Sequence, residues 1–247
     1  MIDTHAHLDA LDDPAAALER ARDAGVDRIL TVGTDPASCR RALELADAHD
    51  GVYAILGIHP HEAGHVTRGD VREVAALLDH PKAVGAGEMG LDWFRNYAPR
   101  EQQLDLFAAM LEVARDSGRP AVIHTRAADE DTLAALDGFD GTVVLHCFSS
   151  PHLLDPALER GWYVSFAGNA SFPKAVDLRL AAREVPADRI LAETDAPYLA
   201  PQPVRGRPNE PAYVVHTLAA LAEARSDDPA ELGQQIERNA AECFSLP

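Results

Sequence analysis

Residues 28–57, RILTVGTDPASCRRALELADAHDGVYAILG, carry two apolar β-type runs, Arg28–Val32 and Val52–Gly57, on either side of a helical pattern at Pro36–His49. Two such runs joined by one helix read as a βαβ unit with parallel strands. The alternation continues in both directions. Further strands are predicted at Ile2–His5, Ala83–Gly87, Ala121–His124, Thr142–His146, Trp162–Phe166 and Ile190–Glu193. Helices are predicted at Asp13–Ala24, Asp70–Asp79 and Pro99–Ser117, with a closing helical stretch near Ala230–Glu242. Several open on Asp, Ser or Pro, as a first helical turn prefers. Eight βα repeats in 247 residues match the size of a (β/α)8 TIM barrel, so a single α/β domain spanning residues 1–247 is expected. The competing doubly wound sheet lacks its nucleotide fingerprints, because no G-x-G-x-x-G follows the first strand and no G-x-x-x-x-G-K-[ST] occurs.

Composition narrows the function classes. Lys plus Arg number 22 against 40 Asp plus Glu, a formal charge of −18. That excess argues against an unaided basic groove for nucleic acid. Cys39, Cys147 and Cys243 form no C-x-x-C pair, so neither a disulfide framework nor a thiolate zinc site is suggested. The start, MIDTHAHLDALDD, lacks the basic and apolar regions of a signal peptide, and no later stretch is apolar enough to span a bilayer. A cytoplasmic protein with no membrane association and no obligate protein partner is expected. Pro197–Pro211, PYLAPQPVRGRPNEP, reads as a long ordered loop after the last strand.

The eleven histidines carry the chemistry. In His5-Ala6-His7, at the end of the first strand, residues two apart project to one side, so both imidazoles can reach one ion; alternatively they are polar residues at a strand end. Glu88 follows the fourth strand, His124 ends the fifth, His146 ends the sixth and Asp195 sits at the end of the eighth. In a barrel the carboxyl ends of the strands converge on one opening, which places a metal site at the C-terminal rim. Mixed imidazole and carboxylate ligands suit zinc or manganese better than calcium. Six ligands exceed the needs of one catalytic zinc, so two divalent ions are expected, with Glu88 the candidate bridge. His59 and His61, in GIHPH, reach the same rim as substrate contacts or supporting residues. Glu193 shares parity with Asp195 and is a candidate to orient a ligand or a water. His49, His65, His80, His152 and His216 are assigned no chemistry.

These motifs resemble the TatD family of metal-dependent hydrolases, many of whose members are described as deoxyribonucleases, within the amidohydrolase superfamily. The resemblance spans nearly the whole chain. It rests on DTHAHLD (Asp3–Asp9), GIHPH (Gly57–His61), GEMGLDWFRN (Gly87–Asn96), VIHTR (Val122–Arg126), LHCFS (Leu145–Ser149), ETDAPYLAP (Glu193–Pro201) and RGRPNEPAYV (Arg205–Val214). It implies one ion on His5, His7, Glu88 and Asp195 and a second on Glu88, His124 and His146. Two departures bear on substrate contacts: AADED follows VIHTR where relatives often place Asp, and Ser150 follows LHCFS where Gly is common.

The expected reaction is phosphodiester hydrolysis, with a hydroxide shared by two ions (zinc, manganese or magnesium) attacking phosphorus and Asp195 orienting it or taking its proton. Arg126, Arg205 and Arg207 are candidate phosphate contacts, since guanidinium offers paired donors. Trp93, with Phe94 and Tyr97, could stack an unpaired base or could plug a loop. The acidic character favours single-stranded DNA or frayed ends over duplex, and exonuclease action over internal cleavage; the resemblance gives a 3′-5′ exonuclease-like deoxyribonuclease as the expected activity. The alternatives are a metal-dependent ester or amide hydrolase, for example an aminoacyl-RNA deacylase, and a metal-binding scaffold without activity.

Overall fold

The computed structural model describes residues 1–247. Eight strands, β1 (Ile2–Ala6), β2 (Arg28–Gly33), β3 (Val52–Leu56), β4 (Ala83–Asp92), β5 (Ala121–Arg126), β6 (Val143–Leu145), β7 (Tyr163–Phe166) and β8 (Ile190–Ala192), follow one another in sheet order. The helices are α1 (Pro14–Asp23), α2 (Pro36–Ala48), α3 (Arg68–Leu77), α4 (Arg100–Ser117), α5 (Asp129–Ala135), α6 (Leu154–Glu159), α7 (Val176–Glu184), α8 (Val214–Arg225) and α9 (Pro229–Phe244). Parallel strands in sequence order, each followed by a helix, are the (β/α)8 barrel fold expected from the sequence. No helix is long and apolar enough to cross a membrane.

The chain forms two compact units, Met1–Thr31 with His146–Pro247, and Val32–Leu145. In the first, the loop after β8 is stitched to the end of β1: Asp195 N–H donates to the His5 carbonyl at 2.9 Å, and His7 N–H to the Ala196 carbonyl at 2.7 Å. α9 packs on β1 and β8 and buries Ile236 and Phe244. Asn239 on α9 caps two carbonyls, Ala187 and Ile190, each at 2.8 Å. The Pro-rich stretch is ordered as anticipated: the Asn209 amide donates to the carbonyls of Thr194 and Tyr198 at 2.8 and 2.5 Å.

In the second unit α2 packs on β3 and α4 on β4 around Ile55, Leu56, Met89, Phe107 and Ile123. α2 starts where Pro36 and a capping box place it: Asp35 Oδ1 accepts from Ala37 and Ser38 N–H, and Ser38 Oγ accepts from Asp35 N–H. α3 begins at Arg68, ahead of the predicted Asp70, because Thr67 and Asp70 cap each other reciprocally. The larger departure is β4. Predicted to stop at Gly87, it runs on to Asp92, with all ten residues buried. Glu88 therefore lies inside the strand, and His124 lies two residues inside β5 rather than at its end. β4 and β5 stay paired from Ala86 opposite Ala121 to Asp92 opposite Arg126, across a register shift between Gly87 and Met89.

Glycine makes that pairing possible. Gly90 lies opposite His124 at φ 139°, and a Cβ there would land on the His124 carbonyl oxygen. Gly25 is also at positive φ, 79°, but faces open space. Gly25→Ala is expected to cost about 1 kcal/mol, the left-handed backbone penalty alone. Gly90→Ala, which adds a backbone collision, is expected to cost well over about 2 kcal/mol. Urea unfolding of both variants checks the contrast, and equal losses would show that β5 yields to the methyl group.

Candidate metal centre

In the first unit, the turn after β1 and the loop after β8 converge. His5 is buried on β1, and its ring stacks on that of His146, centroids 3.8 Å apart and planes 18° from parallel. His7 follows the strand, with its ring edge-on to His5 at 5.2 Å and its Nε2 3.5 Å from Asp195 Oδ1. Asp195 has φ 57°, a left-handed conformation that Asp tolerates better than most residues. Burial opposes its charge, but the hydrogen bond from His7 and the imidazoles of His146, His7 and His5 hold its carboxyl below the usual range. Ligand atoms of His5, His146 and Asp195 lie within 4.8 Å of one another.

Glu193, the first residue beyond β8, supports this group. Its Oε1 sits 2.8 Å from His146 Nδ1 and accepts from Cys147 N–H at 2.9 Å, while its Oε2 accepts from Ser165 Oγ at 2.5 Å. A carboxylate at Nδ1 leaves His146 Nε2 as the nitrogen able to ligate. Glu193 thus ties the His146 ring to the Cys147 backbone and the Ser165 hydroxyl. Asp3, one β-repeat below His5, accepts from Thr194 N–H and Oγ at 2.9 and 2.5 Å and from His5 N–H at 3.3 Å. Burial pushes its carboxyl up to about 8 against those donors.

In the second unit, Glu88 is 3% exposed and meets two imidazoles. Its Oε1 is 2.7 Å from His124 Nδ1 and 3.4 Å from His59 Nε2. Ligand atoms of His59, Glu88 and His124 lie within 4.8 Å of one another. His59 Nδ1 accepts from His61 N–H at 3.1 Å, which places the proton of the neutral ring on Nε2, facing Glu88. Burial lowers the His59 pKa to about 4, against the pull of Glu88, so the ring is neutral at pH 7.

Asp92 was not singled out in the sequence, although it shares strand parity with Glu88. Its Oδ2 lies 2.8 Å from His61 Nε2 and 3.5 Å from His124 Nε2, and its Oδ1 accepts from Phe94 and Arg95 N–H at 2.9 and 2.8 Å. Burial would raise its pKa, but the bonds from His124, Arg95 N–H and His61 outweigh it and hold the carboxyl well below the ordinary range. Asp3 and Asp92 both carry the signal that exposed Glu193: a carboxylate two or four positions from a candidate ligand on one strand.

The remaining predicted residues separate. Trp93 is committed to the fold, its indole N–H donating to Asp131 Oδ2 at 2.8 Å and its ring face covered by Arg100. Arg126, at the end of β5, lies over the Phe94 ring at 4.1 Å. Arg205 lies over Phe172 at 3.8 Å, and Arg207 is exposed two residues on.

Imidazole nitrogens and carboxylate oxygens, clustered and largely buried in each unit, fit divalent ions such as zinc or manganese. The comparisons with known proteins agree. The family of TatD related DNases matches residues 2–245. The chain belongs to the TatD family. It is 37% identical to the uncharacterized metal-dependent hydrolase TatD of Mycobacterium tuberculosis, covering 100% of this chain and 98% of that protein. It is 35% identical to the 3′-5′ ssDNA/RNA exonuclease TatD of Erwinia billingiae, over 95% of this chain and 94% of the relative. The crystal structure of the TatD homologue YJJV of Escherichia coli superposes with a TM-score of 0.94 at 30% identity, covering 100% of this chain and 98% of that one. The protein is accordingly a metal-dependent hydrolase of the TatD family.

The orienting carboxylates yield a test. Replacing Glu193 or Asp92 by its amide, Glu193→Gln or Asp92→Asn, should weaken divalent-metal affinity about 10- to 100-fold while the far-ultraviolet circular dichroism stays unchanged. Competition with a chromophoric chelator measures it; wild-type affinity in both variants would leave these carboxylates with a packing role only.

Proposed function

We propose that this TatD-family hydrolase is a 3′-5′ exonuclease on single-stranded DNA or frayed ends, and that it works with two divalent ions. The observation that carries this reading is the clustering of imidazole and carboxylate donors in each unit, with ligand atoms of His5, His146 and Asp195 within 4.8 Å of one another in one and Glu88 Oε1 2.7 Å from His124 Nδ1 in the other. The resemblance assigns His5, His7, Glu88 and Asp195 to one ion and Glu88, His124 and His146 to the other, with Glu88 shared. When bound, divalent ions neutralise phosphodiester oxygens and make water acidic enough to supply a nucleophile near neutral pH. A nuclease relative across 94% of its length supports the substrate class.

The chain's own residues then have defined tasks. Asp195, held below the usual carboxylate range, is ionised at neutral pH and able to accept the proton of the attacking water. Glu193 fixes His146 with Nε2 outward, and Asp92 fixes His61. His59 presents an N–H to Glu88 and stays uncharged, so it steadies the carboxylate without adding a competing cation. Arg126, Arg205 and Arg207 offer guanidinium donors to phosphate oxygens in a chain whose net charge is −18.

End-labelled linear and circular single-stranded DNA, given to manganese- or zinc-loaded protein, test the reading. Linear DNA should shorten from its 3′ end while the circle survives; cleavage of both at similar rates would remove the exonuclease reading, and turnover of simple esters alone would replace nuclease by esterase. Glu88→Ala should lose two metal equivalents together and more than about 100-fold in rate, since a ligand matters at least as much as its supporting residues. Retention of one full equivalent would exclude Glu88 as the shared ligand.

A further inference from the structure

The loop between β4 and α4 displays two large aromatic side chains to solvent, Phe94 at 63% and Tyr97 at 64% exposure. Exposed aromatics on mobile loops are common, but this loop is braced throughout. Asp92 Oδ1 accepts from Phe94 and Arg95 N–H, and Trp93 N–H donates to the Arg126 carbonyl at 2.9 Å. Asn96 takes the turn at φ 52°. At the far end the buried Gln103 amide donates to the Ala98 carbonyl at 2.9 Å, and Gln103 Oε1 accepts from Asp92 N–H at 2.9 Å. A built scaffold therefore holds two apolar rings where they bury little surface of their own.

The surroundings say what such rings would meet. Arg126 lies over Phe94 at 4.1 Å and Arg95 flanks the same ring at 5.9 Å. The nearby acid Asp131 is engaged by the Trp93 indole. Tyr97 stands edge-on to His61 at 4.7 Å, and His61 is bonded to the same Asp92 that pins the loop. With Arg126 over one side of the ring, Phe94 still keeps 63% of its surface exposed, and an apolar ring flanked by two guanidinium groups complements a nucleotide, whose base stacks and whose phosphate is anionic. A folded protein partner would instead require a broad apolar patch, and none of the other large apolar side chains exposed on the chain lies in this loop.

We propose that Phe94 and Tyr97 form a stacking platform for unpaired bases of the substrate strand, with Arg126 and Arg95 receiving the adjoining phosphates, so that this loop sets the preference for single strands over duplex. The proposal rests on the nuclease reading above. A duplex keeps its bases stacked on one another and offers these rings no free face. Purines, with their larger faces, are held better than pyrimidines at the stacked position.

Binding is measured with metal-free protein in EDTA, using a ten-residue oligonucleotide carrying 2-aminopurine near its 3′ end, and turnover is measured separately with manganese. Wild type should quench the 2-aminopurine and bind single strands more tightly than duplex. Phe94→Ala should lose the quench and weaken binding about 5- to 30-fold, Tyr97→Ala should weaken it less, and Phe94→Trp should restore both signals. In turnover the loss should appear in KM for oligonucleotides, lowering their advantage over bis(p-nitrophenyl) phosphate. Wild-type quench and KM in Phe94→Ala, alongside normal DNA cleavage by wild type, would overturn the platform while leaving the nuclease reading intact. A wild type that neither binds nor cleaves nucleic acid would overturn the nuclease reading itself.

Discussion

Carboxylates buried at the ends of the strands must be given donors, and the rest of the site follows from how they obtain them. An ionised carboxyl deprived of water costs several kcal/mol unless hydrogen bonds or cations replace the solvent. Glu193 meets the requirement with the Ser165 hydroxyl, the Cys147 N–H and the His146 ring. Asp92 uses two loop N–H groups and the His61 ring. Each solution consumes one nitrogen of an imidazole and so decides which nitrogen is left to face an ion or a substrate. Rotamer, tautomer and ligating ability are thus settled by neighbours one layer away from the chemistry. Where the hydrogen bonds fall short of the burial cost, as at Asp3, burial pushes the carboxyl up to about 8 instead.

Periodicity and punctuation made the eight strands legible, because a βα repeat alternates between periods of two and 3.6 and breaks at Gly, Pro and Asp. The boundaries failed where glycine carried two meanings. In AVGAGEMGLD, Gly87 read as the end of a strand, whereas Gly87 and Gly90 are what let β4 approach β5 along Ala86–Asp92. His5 and His7 stand out in the sequence because residues two apart on an extended chain project to one side. Asp92 and Asp3 were overlooked although parity marks them equally well, because a single acid near a strand end is ordinarily a cap or an ion pair. What no pattern within one strand encodes is partnership across the chain: the bond of Glu193 to His146 joins positions 47 residues apart, and that of Thr194 to Asp3 joins positions 191 apart. Trp93, readable from sequence as either a stacking face or a loop plug, is tied to Asp131 and lies under Arg100.

The strongly negative charge of the chain looks ill matched to the polyanionic substrate proposed above, and divalent ions held at the site would resolve the mismatch locally. Divalent cations are the largest charges a protein can concentrate in a small volume, and they attract phosphate where the overall field repels it. Arginines set over aromatic rings, Arg126 on Phe94 and Arg205 on Phe172, keep their charge beside apolar surface. A net charge of this sign penalises non-specific binding along a duplex, which depends on many phosphate contacts at once. On the proposed exonuclease reading it would penalise capture of one strand end much less, because only the nucleotides at the site must be neutralised.

Selectivity among ester substrates then falls to the loops, since imidazoles and carboxylates around ions can hydrolyse several kinds of ester and amide. The β4–α4 loop and the Pro197–Pro211 loop are both held by buried amides, Gln103 in one unit and Asn209 in the other. A side-chain amide can donate and accept at once, so it satisfies carbonyl and N–H groups that a loop would otherwise turn toward water. Prolines in the second loop further reduce the freedom lost on ordering. Loops fixed in this way present their aromatic and guanidinium groups in one arrangement before substrate arrives. Less ordering cost is then drawn from binding, and discrimination reflects the fit of the substrate to a surface already in place.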